Sequence, residues 1–413
     1  MGNLQNILDK KVSLALHMPI NSLGYGIFSL YFLFNLLADY SITQDQIDNQ
    51  IDIVPIGAPD LETLKSFELG NGLSVKHKIL DAKYADSKNY THVIYIWHPN
   101  QLTLGFPAKT GQKNIGITFF ERDQLMPDEA LELSKVSKIM PTSQWAGDVL
   151  NAYGIKTIKP FLPYIYDGPR YSEEGRGLNS LPPDVEKFNG FIRSLPGGDS
   201  VAFSAGKWEI RKNQHAILDV CSSLGKPNVL IGLWDNPFTG GLTQPLTHLN
   251  ENGWKLKNTY KFFENVGYVY TKGLCNLVLL PRIPSYEKSL KVLKVCDSYI
   301  SLSSAEGLNL HALEAMYYGM HSIYLTNNTA HIDLINQIGI KKEGIIECSK
   351  TLAVDNIWFR GEGNWYKVSD KEIERLKNKD TLSDLTLDSK SFSSYIHKRK
   401  QNGLTSYLSD FLQ

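Results

Sequence analysis

The sequence predicts an α/β protein of two Rossmann-like domains, each built on a parallel sheet. Three observations carry that prediction. Short apolar, β-branched runs alternate with helical patterns along most of the chain, as buried parallel strands and their crossover helices require. Several runs end in polar or glycine-bearing turns that open a helix, which is where ligands sit in open α/β sheets. The chain has 413 residues, long for one domain and comfortable for two.

The N-terminal half opens with an apolar strand at 12–18, a turn at 19–26 holding Gly24 and Gly26, and a helix over 27–40. Residues 24–29 come close to GxGxxG, the dinucleotide-binding pattern. Two features oppose that reading: the glycines come several residues after the strand, and the next strand, 51–56, ends in Gly57-Ala58 where a ribose-binding acid is needed. Gly24 and Gly26 read better as a loop that lets another molecule approach the backbone. The strand at 92–97 delivers His98 to the sheet's binding edge, although a lone histidine serves structure as readily as function. A strand at 114–120 ends in Glu121-Arg122-Asp123, where simple ion pairing accounts for Arg122 and Asp123. A helix at 128–135, a strand at 138–142 and a helix from Ser143 to Tyr153 complete this half.

Residues 166–195 are rich in Pro, Gly, Ser and charge, which marks a boundary. The expected division is an N-terminal domain over 1–165, a linker over 166–196 and a C-terminal domain over 197–380. A polar helical tail over 381–413 can pack back on the N-terminal domain; its basic run 397–400 reads as solvated surface. In the C-terminal domain a strand at 200–204 leads to Ala205-Gly206-Lys207-Trp208-Glu209-Ile210-Arg211-Lys212-Asn213 and a helix over 214–223. Lys207 and Lys212 stand between strand end and helix start, where both can donate to a phosphate; the plainer reading is a solvated basic loop. Strands at 228–233 and 277–280 and a helix over 285–296 follow.

The stretch Ser303 to Gly319 (SSAEGLNLHALEAMYYG) then follows a strand at 298–302. Its polar turn leads into a helix with Leu310, Leu313, Met316 and Tyr317 on one face, stopped by Gly319. A helix start offers unpaired N–H groups and partial positive charge to an anion. Glu306 in the turn and Glu314 in the helix are acceptors suited to hydroxyls on either side of a bound phosphate. The plainer alternative makes Glu306 a turn residue and Glu314 a solvated one.

Composition excludes several classes. Lysine plus arginine equals aspartate plus glutamate, 43 each, so no global field steers the protein to nucleic acid or an acidic membrane. Lys76-His77-Lys78 and the lysines at 109 and 113 are the only obvious local basic groups in the first half. Cys221, Cys275, Cys296 and Cys348 are far apart with no metal-ligand spacing, and read as reduced core residues. The longest apolar run, 27–38, is too short for a membrane span. No secretory signal is visible, and a cytoplasmic, soluble protein is expected. No strict DxD occurs, which disfavours a metal-dependent sugar transferase.

Taken in order, these segments resemble the group-one glycosyltransferases of the GT-B fold, family-four-like, over most of residues 12–340. Residues 205–212 resemble the phosphate-binding G-R-x-x-x-x-K segment. Glu306-Gly307 through Glu314-Ala315-Met316 and Gly319 resemble the EGxGLxxLEAMAxG signature with its E-x7-E spacing. Phe120-Glu121-Arg122-Asp123, Pro141 to Trp145 and Asn21 to Gly26 resemble the family's N-terminal segments, and residues 283–287 through 296–297 its preceding helix. The resemblance implies two Rossmann-like domains facing across a cleft, with the acceptor on the N-terminal side and a nucleotide-diphosphate-sugar donor, UDP- or GDP-linked, on the C-terminal side. It implies a retaining, metal-independent hexosyl- or pentosyltransferase needing no further cofactor. Lys207 and Lys212, beside Gly206, would hold the diphosphate, Glu306 sugar hydroxyls and Glu314 the ribose. The backbone of Gly307, Leu308, Asn309 and Leu310 would meet sugar and phosphate. Gly24 and Gly26 would face the phosphates, and His98 the reacting sugar. Three departures stand out: Lys207 for arginine, Asn213 for glycine, and Glu306-Gly307-Leu308-Asn309 for EGFG. Asparagine tolerates positive φ, so the turn at 213 survives. The acceptor is open among a surface glycan, a lipid-linked saccharide and a hydroxylated DNA base. A nucleotide-sugar epimerase-like enzyme and an inactive nucleotide-sugar-binding module are the alternatives.

Overall fold

A computed structural model describes residues 13–39, 42–68, 73–163, 165, 181–283, 286–354, 361–404, 407, 408 and 411; residues 166–180 of the expected linker lie outside them. The chain forms two compact units, residues 1–176 with 393–413, and residues 177–392.

The first unit runs β1 (Leu14–Met18), α1 (Gly24–Asp39), α2 (Gln44–Gln50), β2 (Ile51–Pro55), α3 (Leu61–Glu68), α4 (Ala82–Asp86), β3 (His92–Ile96), β4 (Lys113–Thr118), α5 (Pro127–Leu133), β5 (Lys138–Pro141) and α6 (Gln144–Ala152). Its sheet is parallel throughout, in the order β2-β1-β3-β4-β5. Every residue of β1 and β3 is buried, which is why both read as unbroken apolar runs. The α1 helix is buried from Gly26 through Leu37, as a helix apolar on all sides must be.

The start of α1 corrects one expectation. Gly24 and Gly26 lie in its first turn, not in a loop before it. A Cβ on Gly26 would fall 2.1 Å from the Asn21 carbonyl oxygen, whereas one on Gly24 would meet nothing. The close approach at Gly26 is therefore made by the chain's own turn, fixed by the Leu23 N–H donating to Asn21 Oδ1 at 2.9 Å. At the far end of α1, the Asp39 carboxylate accepts from the Leu404 N–H. Phe411 sets its ring edge-on against His92 and Tyr407 against Phe161, so the end of the chain is part of this unit's core.

The second unit runs α7 (Pro183–Ser194), β6 (Val201–Ala205), α8 (Gln214–Ser223), β7 (Asn228–Leu233), α9 (Thr243–Glu251), β8 (Lys255–Phe262), β9 (Asn265–Lys272), β10 (Cys275–Leu280), α10 (Tyr286–Val292), β11 (Ser298–Ser301), α11 (Leu310–Tyr317), β12 (Ser322–Thr326), α12 (Thr329–Ile338), β13 (Ile345–Ile346), the hairpin β14 (Cys348–Leu352) and β15 (Asn364–Val368), and α13 (Asp370–Lys377). The helix α14 (Ser389–Asn402) crosses from this unit into the first. The main sheet has the order β13-β12-β11-β6-β7-β10-β9-β8. It is parallel from β13 to β10, but β9 and β8 pair antiparallel. The expected parallel sheet is thus extended by an antiparallel edge that makes the whole sheet mixed. Seven of the eight β8 residues are exposed, and lysines recur along it at 255, 257 and 261, a composition that discourages edge-to-edge pairing.

Cys221, Cys275 and Cys296 are buried and Cys348 partly so, all as free thiols. Among the described residues no single helix is long and apolar enough to cross a membrane.

Candidate functional site

Strands β6 and β11 are parallel neighbours, so the turns after their carboxyl ends emerge side by side on one edge of the second unit's sheet. After β6 the chain passes through Gly206 at φ +130°, where a Cβ would stand 3.3 Å from Lys212 Cε. The glycine makes room for that lysine to lie back over the turn. A single 3-10 turn, Ile210–Lys212, follows, and Asn213 takes the left-handed conformation (φ 53°, ψ 40°) before α8. Asn213, which stands where the resemblance expects glycine, thus occupies the positive-φ position it was expected to tolerate. Its amide also donates to the Leu302 carbonyl at 3.2 Å, tying this turn to the end of β11.

The two turns meet through charge. Lys212 Nζ donates to Glu306 Oε1 at 2.6 Å and Oε2 at 2.8 Å. Ser303 Oγ donates to Oε1 at 2.6 Å, and Arg211 Nη1 stands 3.5 Å from Oε2. Arg211 also donates to the Ala305 carbonyl at 2.7 Å and pairs with Glu209, which Lys207 approaches to 2.8 Å. Burial drives the Glu306 carboxyl upward, but Lys212 and then Arg211 more than offset it and hold the group at about 2. Glu306 is therefore ionised and almost wholly enclosed. Its charge anchors the cations above it. Lys207, Arg211 and Lys212 thus interleave with Glu209 and Glu306 in one cluster of opposite charges.

The turn after Glu306 ends at Asn309, which is left-handed (φ 62°, ψ 66°) and caps α11 by accepting from the Ala312 N–H at 3.2 Å. The Leu308 and Leu310 side chains are buried, so these positions can offer a ligand only backbone. Glu314, one turn into α11, is 2% exposed and accepts from the Tyr286 hydroxyl; it is not a solvated helix residue. Gly319 follows the helix at φ +96°, the left-handed stop expected of it. His311, in the first turn of α11, is held at about 4 by burial and then by the repulsion of Lys212, so it stays neutral beside the cluster.

Sequence reading brought Lys207, Lys212, Glu306 and Glu314 to one region, but gave no role to Arg211, Ser303, Tyr286 or His311. Nothing in the spacing marks them. Arg211 is adjacent to Lys212 and looks like one more basic loop residue, yet it is 6% exposed and points inward.

In the first unit His98 stands exposed just beyond β3. Its ring lies 4.5 Å from Tyr25 and 4.7 Å from Trp97, and Tyr25 stacks on Phe119 at 4.2 Å. The Tyr25 hydroxyl accepts from the Phe119 N–H at 3.1 Å, so an aromatic group from α1 backs His98 at the sheet's carboxyl edge. Of the basic residues noted in this unit, His77 pairs with Asp48 at 2.7 Å, Lys78 with Asp52 at 3.1 Å and Lys109 with Asp86 at 3.0 Å.

No family model matches the sequence, and no curated protein matches it. Solved structures do. HepE of Anabaena in complex with UDP and glucose is similar at 10% identity over 97% of this chain and 100% of its own, with a TM-score of 0.56. The E. coli trehalose-6-phosphate structure bound with UDP-2-fluoro glucose is similar at 11% identity over 97% and 99%, with a TM-score of 0.56. A glycosyltransferase from Rickettsia africae is similar at 11% identity over 98% and 96%, with a TM-score of 0.55. Likeness over the full length of both chains, with the two sheets described, gives this chain the GT-B fold.

Proposed function

We propose that this protein is a glycosyltransferase that moves a sugar from a nucleotide-diphosphate-sugar to an acceptor hydroxyl, with retention of configuration. The observation that carries the reading is the convergence of Arg211 and Lys212 on the turn that starts α11, with Lys207 joined to Arg211 through Glu209, Glu306 buried beneath and Glu314 one helical turn away. An ammonium has three N–H donors; Lys212 commits at most two to Glu306 and keeps one for a phosphate oxygen. The helix start adds backbone N–H groups and dipole. Charge developing on a leaving diphosphate would be met by groups already in place, the usual largest source of rate enhancement. Glu314 with Tyr286 supplies polar contacts for a ribose, and the 307–310 backbone meets phosphate and sugar. For Gly24 and His98, in the first unit, the reading keeps the phosphate and sugar contacts that the resemblance implies.

The relatives by structure hold UDP together with glucose, or a UDP-sugar analogue, which favours UDP over GDP. A chain with no net charge, with His77, Lys78 and Lys109 in ion pairs, favours a saccharide or lipid-linked acceptor over a DNA base. Lys212 and Glu306 neutralise each other in the structure, so Glu306 acts first by fixing the lysine. Incubation with a panel of UDP- and GDP-sugars, read as release of nucleoside diphosphate, tests the reading. The wild type should cleave one donor, and Lys212→Ala should lose at least about a hundredfold of that activity, the scale of deleting one preorganised charge-stabilising donor. An undiminished Lys212→Ala, or a wild type inert to every donor, would sink it.

A further inference from the structure

We propose that His331 is a positioning residue: it locks Asn309 in the left-handed conformation and so sets the turn from Glu306 to Leu310 for the donor. The proposal rests on the donor-site reading above. It starts from a conformational cost. Asn309 holds φ 62° and ψ 66°, which glycine adopts freely and asparagine at a cost that local side-chain hydrogen bonds offset. Both its side-chain oxygen and its amide nitrogen are engaged. Oδ1 accepts from the Ala312 N–H at 3.2 Å and from the Tyr299 hydroxyl at 2.9 Å. A backbone N–H can only donate, so the oxygen must face it and the amide nitrogen must face the other way. There Nδ2 lies 2.7 Å from His331 Nε2. The amide nitrogen also only donates, so Nε2 is the acceptor and the imidazole proton sits on Nδ1. Nδ1 in turn lies 3.1 Å from the Thr326 carbonyl, an obligate acceptor. One orientation of Asn309 and one tautomer of His331 satisfy the chain from end to end.

The chain is buried as well as closed. His331 is 0% and Tyr299 1% exposed, so no water replaces a lost partner cheaply. Thr326 belongs to β12 and His331 to α12, while Asn309 caps α11. The lock therefore ties the donor turn to the adjacent strand and helix. The Thr326 hydroxyl extends it by donating to the Ser303 carbonyl at 2.8 Å, and Ser303 holds Glu306. Burial keeps the imidazole neutral, at about 4, against the pull of Glu306. Rotation at Asn309 would re-aim the N–H groups of residues 307–310, where a misplacement of about 1 Å costs on the order of a hundredfold in rate.

A cycle of His331→Leu, His331→Gln, Asn309→Gly and the His331→Leu/Asn309→Gly double variant tests the lock, read by kcat and KM for the nucleotide-sugar and by urea unfolding. His331→Leu should lower kcat/KM by about ten- to a hundredfold, and His331→Gln, which returns an acceptor near the Nε2 position, should recover most of it. Glycine takes positive φ unaided, so the double variant should be more active and more stable than His331→Leu alone. Additive losses in the double variant would reduce His331 to core filling and overturn the proposal. If His331→Leu does not fold, His331→Gln carries the comparison: it should keep at least half of the wild-type kcat/KM, and a tenfold loss would overturn the lock. Long-range 15N–1H spectra of the full chain should show His331 as the neutral Nδ1–H tautomer from pH 8 to pH 5. An Nε2–H tautomer, or an imidazolium at pH 6, would also overturn it. A wild type inert to all donors would remove the donor-site reading, while spectrum and unfolding cycle still decide whether the lock exists.

Discussion

At Glu306, burial and ion pairing pull in opposite directions, and the outcome fixes how the site answers to acid. Its carboxyl sits at about 2, below the ordinary value of 4.5. A group whose folded pKa is depressed contributes stability above its unfolded pKa and loses it as pH falls through the folded one. The window is therefore from about pH 4.5 down to about pH 2, with about 3 kcal/mol at stake for a carboxylate this enclosed. Urea midpoints measured from pH 5 to pH 2.5 should fall more steeply for the wild type than for Glu306→Gln; parallel curves would show that the pair contributes nothing. Lys212→Met should cost more than a lost surface ion pair, about 3 kcal/mol, because it strands the carboxylate with only Arg211 and Ser303 beside it. Adding Glu306→Gln to that variant should restore over half of the loss. Equal stability of Lys212→Met and wild type would contradict the buried pairing. None of this was legible in the sequence, where Glu306 and Lys212 appeared as separate ligands of separate parts of a donor. Their contact spans 94 positions and exists only because β6 lies beside β11.

Among the elements, α1 shows how a glycine pattern can be found and misread. The residues at 24 and 26 stood out, but their look of a ligand loop came from placing the helix start at 27. With the helix beginning at Gly24, the two positions do different work. Gly26→Ala drives a methyl into the Asn21 backbone and should destabilise by about 1–3 kcal/mol, as overpacking does. Gly24→Ala meets open space, gains helix propensity, and should leave the melting temperature unchanged or slightly raised. If Gly24 faces the donor, the same variant should raise KM for the nucleotide-sugar; unchanged KM would remove it from the site. Asn213→Val should cost about 1–2 kcal/mol, because a β-branched residue cannot take φ 53° without strain, and an unaffected unfolding curve would refute that. Strands β1, β3, β6, β7 and β11 were legible because burial on both faces makes a continuous apolar run. The β8–β9 hairpin was not: its exposed strand mixes lysine, threonine and tyrosine and carries no run and no clean alternation. The short helices α2, α3 and α9 escaped for the same reason, being too polar for their length to show a stripe.

For the molecule as a whole, the two-unit α/β plan was readable from strand–helix alternation, because each parallel strand needs a crossover and each crossover repeats the signal. The tail over 381–413 was expected to be able to pack back on the N-terminal domain; Leu404 and Leu408, wholly buried, lie in the part of it that belongs to the first unit. The division into units gives the functional reading a test that does not depend on finding the acceptor. A donor that binds only folded protein stabilises by RT ln(1 + [L]/Kd), about 2.7 kcal/mol at a hundred times Kd, and that stabilisation must appear first where the contacts are. Hydrogen exchange of the full chain with and without a saturating UDP-sugar should therefore show added protection at residues 206–213 and 303–315, the two turns held together by Lys212 and Glu306. Local openings report sub-global free energies segment by segment, so the sheet edge at β8 and β9, which lies several strands away, should be unchanged. Protection confined to residues 14–39 and 92–118 would move donor binding to the first unit. Protection spread evenly over residues 177–392 would mean that ligand merely stabilises that unit without ordering the turns.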